Sequence, residues 1–523
     1  MDRRVLLLSL VVAGLSLASP ALAQLAPPPG PVQATDRTRI NQQSIVAFPY
    51  FIGQPGSYVL TSNLTGVGGA AVIAVGSNNV TIDLNGFTVS GGRHGIEVLP
   101  GLRNVTITNG TVSSNSEQGI EARFAEQVRL DGVRLNSNGV RGAYLGDGAT
   151  VLRSTAESNT SSGFRLGNGA VVTDSSARNN TGGLGLLCGD RSVVTGFTAT
   201  GNGQHGIASG LSSTVENCVA NTNGATGAWD GVFADFGSTI RGCAADNNTR
   251  WGIVVNSRGN LLDSSTKENG KGGITVGYGT TVQRCTAHDN GFAPRPAGTA
   301  SRARPTDRTR VDRIVPTEVV LSDEVEAVSA ARSESLRGVY IGDGISTGDG
   351  CTIVACDAQG NADAGIAVAH SSTVIGCTVR FNGGGGIETL GWTTIRDCTA
   401  IQGYWHGIDA GESSTVENCT LTNNQGSGLT ATSNTAIRRC TVNNNGLSGI
   451  EVTGTRNRVE ENQAASNLQS GFSVTGLQNL IVRNSASGNP INYNVFPGNN
   501  FGNVQFLFGG PFFSNEPWAN FEY

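Results

Sequence analysis

The stretch CTLTNNQGSGLTA, Cys419–Ala431, is followed 21 residues later by CTVNNNGLSGIEV, Cys440–Val452, and this repetition decides the fold. Cysteine, asparagine and glycine return to the same places in both stretches. A fixed period of about this length is typical of arrays whose units bury their apolar faces only against their neighbours. The sequence therefore predicts a solenoid.

A glycine followed by an apolar residue marks most of the repeats. Apolar and small residues alternate after each glycine, and Gly, Asn and Ser separate the runs, which indicates short strands joined by tight turns. About three such strands per repeat indicate an all-β parallel β-helix of about 17 rungs. We call the sheet formed by the strands that follow these glycines the glycine sheet. The glycines are Gly95, Gly119, Gly142, Gly163, Gly185, Gly206, Gly231, Gly252, Gly273, Gly338, Gly365, Gly386, Gly407, Gly428, Gly449 and Gly471.

The stretch VTIDLNGFTVSGG, Val80–Gly92, and the run of repeats ending in Gly-Ile resemble right-handed parallel β-helix proteins of the pectin-lyase-like superfamily. The resemblance covers the chain from roughly Ser57 to its C-terminus. It implies a right-handed solenoid. Enzymes of that superfamily cleave acidic polysaccharides in a cleft walled by loops beside one sheet, but a fold alone does not establish chemistry.

The first residues predict secretion. Arg3 and Arg4 precede the apolar run Val5–Leu17, and small residues up to Ala23 supply a cleavage site, as in a secretory signal peptide over residues 1–23. The apolar run is too short to cross a membrane, and the sequence holds no other long apolar segment. We therefore expect a secreted or periplasmic protein without a membrane span.

The remaining chain divides by composition. Residues 24–40 are predicted to form a flexible leader, 41–498 the β-helix domain with an N-terminal cap strand, and 499–523 an aromatic C-terminal cap over the open edge of the last rung. The domain is interrupted by a charged insertion at about 292–335, predicted to be a lid. It falls in the step from Gly273 to Gly338. Two other steps, from Gly206 to Gly231 and from Gly338 to Gly365, contain a few residues more than the usual repeat.

Cysteine and asparagine form two columns in the repeats. Serine replaces cysteine in several repeats, so the ten cysteines are expected to be buried free thiols rather than disulfides. The asparagines fall in the turn before each glycine-sheet strand, where an amide can donate to one rung and accept from the next. No Cys/His spacing typical of a metal site is present, so none is predicted.

The charge of the chain bears on its partners. A formal net charge of −5 with only 14% charged residues argues against nucleic acid as a general partner. We expect a monomer whose partner is a polysaccharide.

Candidate binding residues are those predicted to point outward from the glycine sheet. Exposed aromatic rings flanked by charged groups suit sugars, which stack on apolar faces and form hydrogen bonds at their rims. A first group consists of Trp229, Asp230, Phe233, Asp235, Arg250 and Trp251, with His205 and Lys271 beside it. A second consists of Glu388, Trp392, Tyr404, Trp405, His406 and Asp409. A third, less aromatic group consists of Glu97, Glu121, Arg123, Tyr144 and Arg165.

The second group includes candidate catalytic residues. Glu388 and Asp409 are predicted on adjacent rungs, with a separation near the roughly 5 Å of retaining glycosidases, and His406 is a candidate proton-transfer group. In a lyase the carboxylates could instead hold calcium, the one cofactor considered. The polygalacturonase signature and the Asp cluster of pectate lyases are absent, so no family catalytic residue can be assigned. The sequence leaves open a hydrolase, a lyase, and a non-catalytic surface or matrix adhesion protein.

Overall fold

A computed structural model describes residues 37–67, 69–292, 342–507 and 515–523. The signal peptide predicted at 1–23, most of the predicted leader and nearly all of the predicted lid lie outside the described residues. Thr38–Tyr523 forms one compact unit. It consists of short parallel strands, and the one helix among the described residues is the 3-10 turn Gln42–Ser44. None of the described helices is long and apolar enough to span a bilayer. The predicted all-β parallel solenoid is confirmed.

The glycine sheet contains 19 described strands, each pairing in parallel with the corresponding strand one rung on. The prediction of about 17 rungs was slightly low, because Tyr50–Ile52, Ile73–Val75 and Ile491–Val495 lack the Gly-apolar pair that was counted. The strands are Tyr50–Ile52, Ile73–Val75, Ile96–Val98, Ile120–Ala122, Ala143–Leu145, Phe164–Leu166, Leu186–Cys188, Ile207–Ser209, Val232–Ala234, Trp251–Val255, Gly272–Val276, Ile345–Thr347, Ile366–Val368, Ile387–Thr389, Ile408–Ala410, Leu429–Ala431, Ile450–Val452, Ser470–Val474 and Ile491–Val495.

Two further strands complete most rungs. The strand after the glycine-sheet strand belongs to the series Gly56–Leu60, Val80–Asp83, Val105–Ser113, Arg129–Asn136, Thr150–Leu152, Val171–Thr173, Val193–Thr195, Thr214–Glu216, Thr239–Arg241, Asn260–Leu262, Thr281–Gln283, Thr352–Val354, Thr373–Ile375, Thr394–Arg396, Thr415–Glu417, Ala436–Arg438, Arg458–Glu460, Leu480–Val482 and Asn500–Phe501. The third series is Leu64–Thr65, Thr88–Ser90, Thr155–Glu157, Ser176–Arg178, Thr198–Thr200, Val219–Asn221, Ala244–Asp246, Ser265–Lys267, Thr286–His288, Asp357–Gln359, Thr378–Arg380, Thr399–Ile401, Thr420–Thr422, Thr441–Asn443, Gln463–Ala465, Ser485–Ser487 and Asn520–Glu522, with Val504–Phe506 paired to the last. Val105–Ser113 and Arg129–Asn136 serve both series.

The N-terminal edge is covered by Thr38–Ile40, which pairs in parallel with Gly56–Leu60. The sequence assigned those three residues to the flexible leader and predicted the cap strand in QPGSYVLTSNLTG, residues 54–66, whose Gly56–Leu60 is instead part of the first rung. Ile40 is fully buried in the core. The chain therefore shields its first strand edge with residues that directly follow the undescribed segment.

Alternation of side chains across each short strand builds the core. In Ile387–Thr389 the two end residues are buried while Glu388 is partly exposed on the outer face. The same buried–outward–buried pattern recurs in Ile120–Ala122 and Ile408–Ala410. A strand therefore contributes two side chains to the apolar interior and one to the outer face of the glycine sheet.

The predicted asparagine ladder is present. Except at Asn382, the side chain of each ladder asparagine in the described rungs donates from Nδ2 to Oδ1 of the next ladder asparagine, as Asn424 does to Asn445 at 3.1 Å. Asn424 Nδ2 also donates to the carbonyl of Ala400 at 3.1 Å, and its Oδ1 accepts the backbone N–H of Gly403 at 3.0 Å. Because these groups are buried, each amide satisfies backbone atoms of the turn that would otherwise lack partners.

Replacing Asn424 with alanine is expected to lower the free energy of unfolding by about 1–3 kcal/mol, because it removes side-chain hydrogen bonds to both neighbouring rungs and leaves the buried N–H of Gly403 without its partner. Urea unfolding followed by circular dichroism measures the change. Gln425→Ala is the matched control, since Gln425 is exposed and lies in the same turn. An unfolding midpoint equal to that of the control would show that the ladder does not stabilise the solenoid.

The cysteine column also closes turns. All ten cysteines are buried free thiols, as the spacing predicted. Cys419 Sγ donates to the carbonyl of Glu417 at 3.3 Å, and Ser175, at the equivalent place, donates to that of Thr173 at 2.9 Å. Thiol and hydroxyl make the same local contact, which explains why the two residues alternate.

The rung after the insertion begins at Gly344, not at Gly338 as predicted. Ile345, which follows Gly344, pairs with Ile274 on one side and Ile366 on the other. The step from Gly344 to Gly365 then has the ordinary length of a repeat. The extra residues predicted between Gly338 and Gly365, near ISTGDG, are therefore not an insertion. The mistake arose because GVYIGDGIS offers two Gly-apolar pairs and only pairing between rungs distinguishes them.

The insertion is rooted in the turn before a glycine-sheet strand, as predicted. The N–H of Gly291 donates to the carbonyl of Asn269, and the N–H of Gly342 donates to that of Lys271. A Cβ added to Gly291 would lie only 2.4 Å from the Cα of Gly342, so the described chain leaves and re-enters at neighbouring points. Across this gap Asn290 still donates to Asn361 at 3.1 Å, and the ladder continues.

Candidate functional site

The second predicted group lies on the outer face of the glycine sheet near the C-terminal third of the solenoid. Glu388, Asp409, Thr430 and Glu451 are direct partners in register on four consecutive strands. Neighbouring strands are about 4.8 Å apart, so Glu388 and Asp409 are adjacent outward residues. The structure thus brings together the two carboxylates that the sequence placed side by side.

Two exposed indoles lie at opposite ends of these strands. Trp405 precedes the strand Ile408–Ala410 and is 51% exposed, while Trp392 follows the strand Ile387–Thr389 and is 53% exposed. The Trp405 ring packs against His406 with centroids 4.8 Å apart, and the Trp392 ring packs against His370 at 5.2 Å. The carboxylates of Glu388 and Asp409 therefore lie between the two indoles, one at each edge of the sheet.

Glu388 is held by the backbone of its own rung. Its Oε1 accepts the N–H of Gly385 at 3.0 Å. The residue one rung earlier at the place of Gly385 is Ala364, which has no side-chain acceptor for this N–H. Glu388 therefore combines an outward position with a contact that stabilises the turn.

A similar contact selects one tautomer of the neutral His406 ring. Its Nδ1 accepts the backbone N–H of Ser427 at 3.0 Å, so the neutral ring carries its proton on Nε2. Burial lowers the pKa of His406, while the carboxylates of Asp409 and Glu451 act in the opposite direction. The imidazole can thus donate a hydrogen bond from Nε2, while Nδ1 already accepts a hydrogen bond from Ser427.

Hydroxyl groups extend the site beyond the predicted residues. Thr430 Oγ1 donates to Asp409 Oδ1 at 2.7 Å, and Ser427 Oγ donates to Glu451 Oε2 at 2.7 Å. Asp409 is exposed and Glu451 is half-buried. Glu451 and Ser427 were missed because they lack a neighbouring aromatic residue, although Glu451 occupies the same place in its repeat as Glu388.

Tyr404, another member of the second group, lies where the asparagine ladder of the described rungs is interrupted. The ladder position is Gly403, which has no side chain to receive the amide of Asn382. Tyr404 is half-buried, and its backbone N–H donates to the carbonyl of Asn382 at 3.0 Å. The turn that carries the exposed indole of Trp405 is therefore also the turn where the scaffold pattern changes.

The side chains directly before the glycines have a common structural task, which explains much of the predicted chemistry. Six of these side chains in the described residues accept the backbone N–H of the corresponding residue one rung on, at 3.0 to 3.4 Å. We call this set the flanking column. Its accepting members are His94, Ser162, His205, Asp230, Asp343 and His406. Histidines and carboxylates in this column are thus scaffold residues even where they lie near the outer face.

Three members of the first predicted group are buried, contrary to the expectation that they point outward. Asp230 and Asp235 have no exposed surface and Trp251 is 4% exposed. Asp230 Oδ1 accepts the N–H of Trp251, and Asp235 Oδ1 accepts the N–H of Phe236 at 2.7 Å. The Trp251 ring fits over Gly272, where any Cβ would clash with it. The strand pattern did not reveal that the flanking column packs along the sheet edge.

The rest of the first group packs around His205. The His205 ring lies 4.9 Å from the Trp229 ring and 5.7 Å from that of Phe233, and both aromatic residues are half-buried. Arg250 Nη1 lies 3.5 Å from Asp230 Oδ2. Burial lowers the pKa of His205, whose Nδ1 accepts the N–H of Asp230. These residues are in contact, as predicted, but their rings are largely used in packing.

Asp343 is a buried carboxyl next to the second group that the sequence reading missed. Its Oδ1 accepts the N–H of Ala364 at 3.2 Å, and its Oδ2 has no hydrogen-bond partner. Burial, and then the carboxylates of Asp363 and Glu388, raise the pKa of Asp343 well above its usual range. Choosing Gly344 as the start of that rung would have placed Asp343 in the flanking column.

A metal site was considered only for a lyase. Within the part of the chain that the structure describes, no three His, Cys, Asp or Glu side chains are grouped closely enough to hold an ion. The carboxylates of Glu388 and Asp409 instead contact a backbone N–H and a threonine hydroxyl.

Comparison with known proteins identifies the fold family. The chain matches the family model of the right handed beta helix region over residues 53–187, 132–261 and 337–489. It belongs to this family of right-handed parallel β-helix proteins, as the resemblance implied. The sequence search found no match among curated proteins.

Solved structures with a similar fold have low identity to this chain. The Dettilon tailspike protein is 14% identical with a TM-score of 0.37, over 68% of this chain and 62% of that one. A pectate lyase is 16% identical with a TM-score of 0.24, over 48% of this chain and 72% of that one. The A-module of an Azotobacter vinelandii mannuronan C-5 epimerase is 10% identical with a TM-score of 0.22, over 88% and 98%. Similarity at this level says nothing about substrate or reaction, and the chain spans less than two thirds of the tailspike.

Proposed function

We propose that this protein is secreted and binds extracellular polysaccharide along the outer face of the glycine sheet, at the second group. The observation that carries the proposal is the pair of half-exposed indoles, Trp392 and Trp405, at opposite edges of strands that present Glu388 and Asp409. Sugar rings stack on indoles through their apolar faces, and their hydroxyls need hydrogen-bond partners at the rim. Secretion, to the periplasm or the exterior, rests on the signal peptide predicted at 1–23.

The polar groups of the site match what a sugar presents. Asp409 and Glu451 offer carboxylate acceptors for hydroxyls, and His406 offers a donor at Nε2. Each of these side chains is already oriented by a contact to Thr430, Ser427 or the backbone. Pre-oriented groups lose little conformational freedom on binding, which favours affinity.

Cleavage of the glycosidic bond is the second candidate function, and the pairing of Glu388 with Asp409 favours it. Residues in register on adjacent strands are about 4.8 Å apart at Cα. The carboxyl groups of retaining glycosidases are roughly 5 Å apart; one protonates the leaving oxygen while the other attacks the anomeric carbon, and water then hydrolyses the glycosyl-enzyme. In this scheme His406 donates a hydrogen bond to a sugar oxygen. A lyase with His406 as the base fits less well, because Nδ1 already accepts the N–H of Ser427.

A non-catalytic role in a matrix or on a surface is the alternative, and the scaffold contacts favour it. Glu388 is bonded to the N–H of Gly385 and His406 to that of Ser427, so both have a structural reason to be present. In this case the site binds polysaccharide and leaves it intact.

Retention on a panel of acidic and neutral polysaccharides, with and without calcium, tests the proposal. Wild-type protein is expected to be retained on at least one polymer, and Trp405→Ala to weaken that retention about tenfold, or roughly 1.4 kcal/mol. Trp518→Ala is the matched control, because Trp518 is 52% exposed but lies near the C-terminus. Failure of every polymer to retain the wild-type protein would reject the proposal.

The same incubations separate cleavage from binding. New reducing ends without unsaturated product indicate a hydrolase, and unsaturated product indicates a lyase. If the protein is a hydrolase, Glu388→Gln and Asp409→Asn are each expected to abolish the product while retention persists. Retention without any product identifies the adhesion alternative.

A further inference from the structure

Arginine side chains converge on one tyrosine near the N-terminal end of the glycine sheet. Glu97, Glu121, Tyr144 and Arg165 are partners in register on four consecutive strands. The guanidinium carbon of Arg165 lies 5.0 Å from the centre of the Tyr144 ring, and those of Arg141 and Arg123 lie at 5.1 and 5.9 Å. Three positive groups thus lie around one aromatic ring.

The acidic residues nearby pair with arginines other than Arg141. Arg123 Nε lies 3.5 Å from Glu121 Oε1, and Arg93 Nη2 lies 3.7 Å from Glu97 Oε1. Arg141 makes no ion pair with the described residues, and its Nε is buried without a hydrogen-bond partner. Burial, and then the neighbouring charge of Arg165, lower the pKa of Arg141. Arg141 therefore has positive charge and donor capacity that the described carboxylates leave unused.

We propose that Arg141, Arg165 and Tyr144 form a binding site for a single oxyanion, the carboxylate of an acidic sugar. A guanidinium presents its N–H donors in a planar fork that matches a carboxylate, and contact with the Tyr144 ring holds both groups beside the same side chain. The exposed ring of Phe124, with Arg123 4.7 Å above it, offers an adjacent apolar face for the sugar.

The flanking charges indicate a ligand with one carboxylate per sugar rather than a densely sulfated polymer. Glu97, Glu117 and Glu121 border the arginines, with Glu117 Oε2 3.5 Å from His94 Nε2. They would repel a second anionic group on the same sugar but can accept its hydroxyls. The formal net charge of −5 also disfavours binding of a densely charged anionic ligand.

This site is separate from the indole site. Nine strand steps along the sheet separate Tyr144 from Glu388, which corresponds to roughly 43 Å at about 4.8 Å per step. A loss of binding at one site therefore need not affect the other, and the two proposals can fail independently.

Isothermal titration with oligogalacturonate, with a neutral galactan oligomer of equal length and with dextran sulfate tests the inference. The wild-type protein is expected to bind oligogalacturonate, and the double variant Arg141→Gln/Arg165→Gln to bind it at least about tenfold more weakly with a smaller salt dependence. Arg178→Gln is the control, since Arg178 is an exposed arginine on another face. Equal melting temperatures establish that the variants are folded.

Three outcomes would overturn the inference. They are unchanged affinity in the double variant, equal binding of the neutral oligomer, and arginine-dependent binding of dextran sulfate but not of oligogalacturonate. Trp405→Ala distinguishes the sites: if it alone abolishes binding of oligogalacturonate, the arginine site is rejected while the proposed function stands. Tyr144→Phe is expected to retain most of the affinity, because it keeps the ring on which the guanidinium groups stack.

Discussion

Alanine in place of Gly449 is expected to destabilise the solenoid by about 2–4 kcal/mol, because the added methyl group has no room. Its Cβ would lie 2.6 Å from the carbonyl oxygen of Gly471 and 2.7 Å from Asn467 Nδ2. The first contact is with the backbone of the next rung, and the second is with the ladder amide. Overpacking of this kind typically costs about 1–3 kcal/mol, and disturbing the amide adds a fraction of a buried hydrogen bond.

Urea unfolding and amide hydrogen exchange of the neighbouring rungs measure this loss. Each rung contacts mainly its neighbours, so faster exchange is expected to centre on the rungs of Gly449 and Gly471. Gly69→Ala is the matched control, since a Cβ there meets nothing within 4 Å. Equal stability of the two variants would mean that the recurring glycine is not a steric requirement.

Deletion of residues 499–523 is expected to cause aggregation of the protein. The described part of this segment ends the scaffold: Asn520 Oδ1 accepts from Asn484 N at 2.9 Å and from its Nδ2 at 3.2 Å. The strand Asn520–Glu522 pairs with Ser485–Ser487, and Tyr493 donates from its hydroxyl to the carbonyl of Phe521 at 2.9 Å. Without them the last rung exposes an unpaired strand edge and part of the core.

Size-exclusion chromatography and thermal unfolding of the truncated protein test this prediction. The substitution Trp518→Ala serves as the control, because it alters an exposed side chain of the same segment and leaves the capping strand intact. A soluble, monodisperse truncated protein with an unchanged melting temperature would contradict the capping role. It would favour the interpretation of the segment as a binding or secretion tag.

The fold could be predicted because its signals are local and repeated. Gly449 and Asn424 each recur at a period that fixes the rung, and the strand alternation fixes which residues enter the core. The position of Gly344 could not be read in the same way, because the sequence GVYIGDGIS contains two candidate glycines and the choice depends on pairing with Ile274 and Ile366.

The candidate site could be predicted only in part. Glu388 and Asp409 were placed side by side because outward positions follow from the strand period. The burial of Asp230 and the occupied Nδ1 of His406 follow from backbone contacts between rungs, which no single repeat reveals. A charged residue before a glycine thus has the same sequence signal whether it serves a ligand or the scaffold.

The root of the insertion bears on how this chain can change over evolutionary time. Because Gly291 and Gly342 lie side by side and Asn290 bonds directly to Asn361, the scaffold closes across the gap with its usual partners. A segment at such a point can be lengthened, shortened or exchanged by recombination without altering the register of any rung. The rungs of the solenoid can therefore be conserved while the inserted segment varies. Related chains are expected to differ most at this turn.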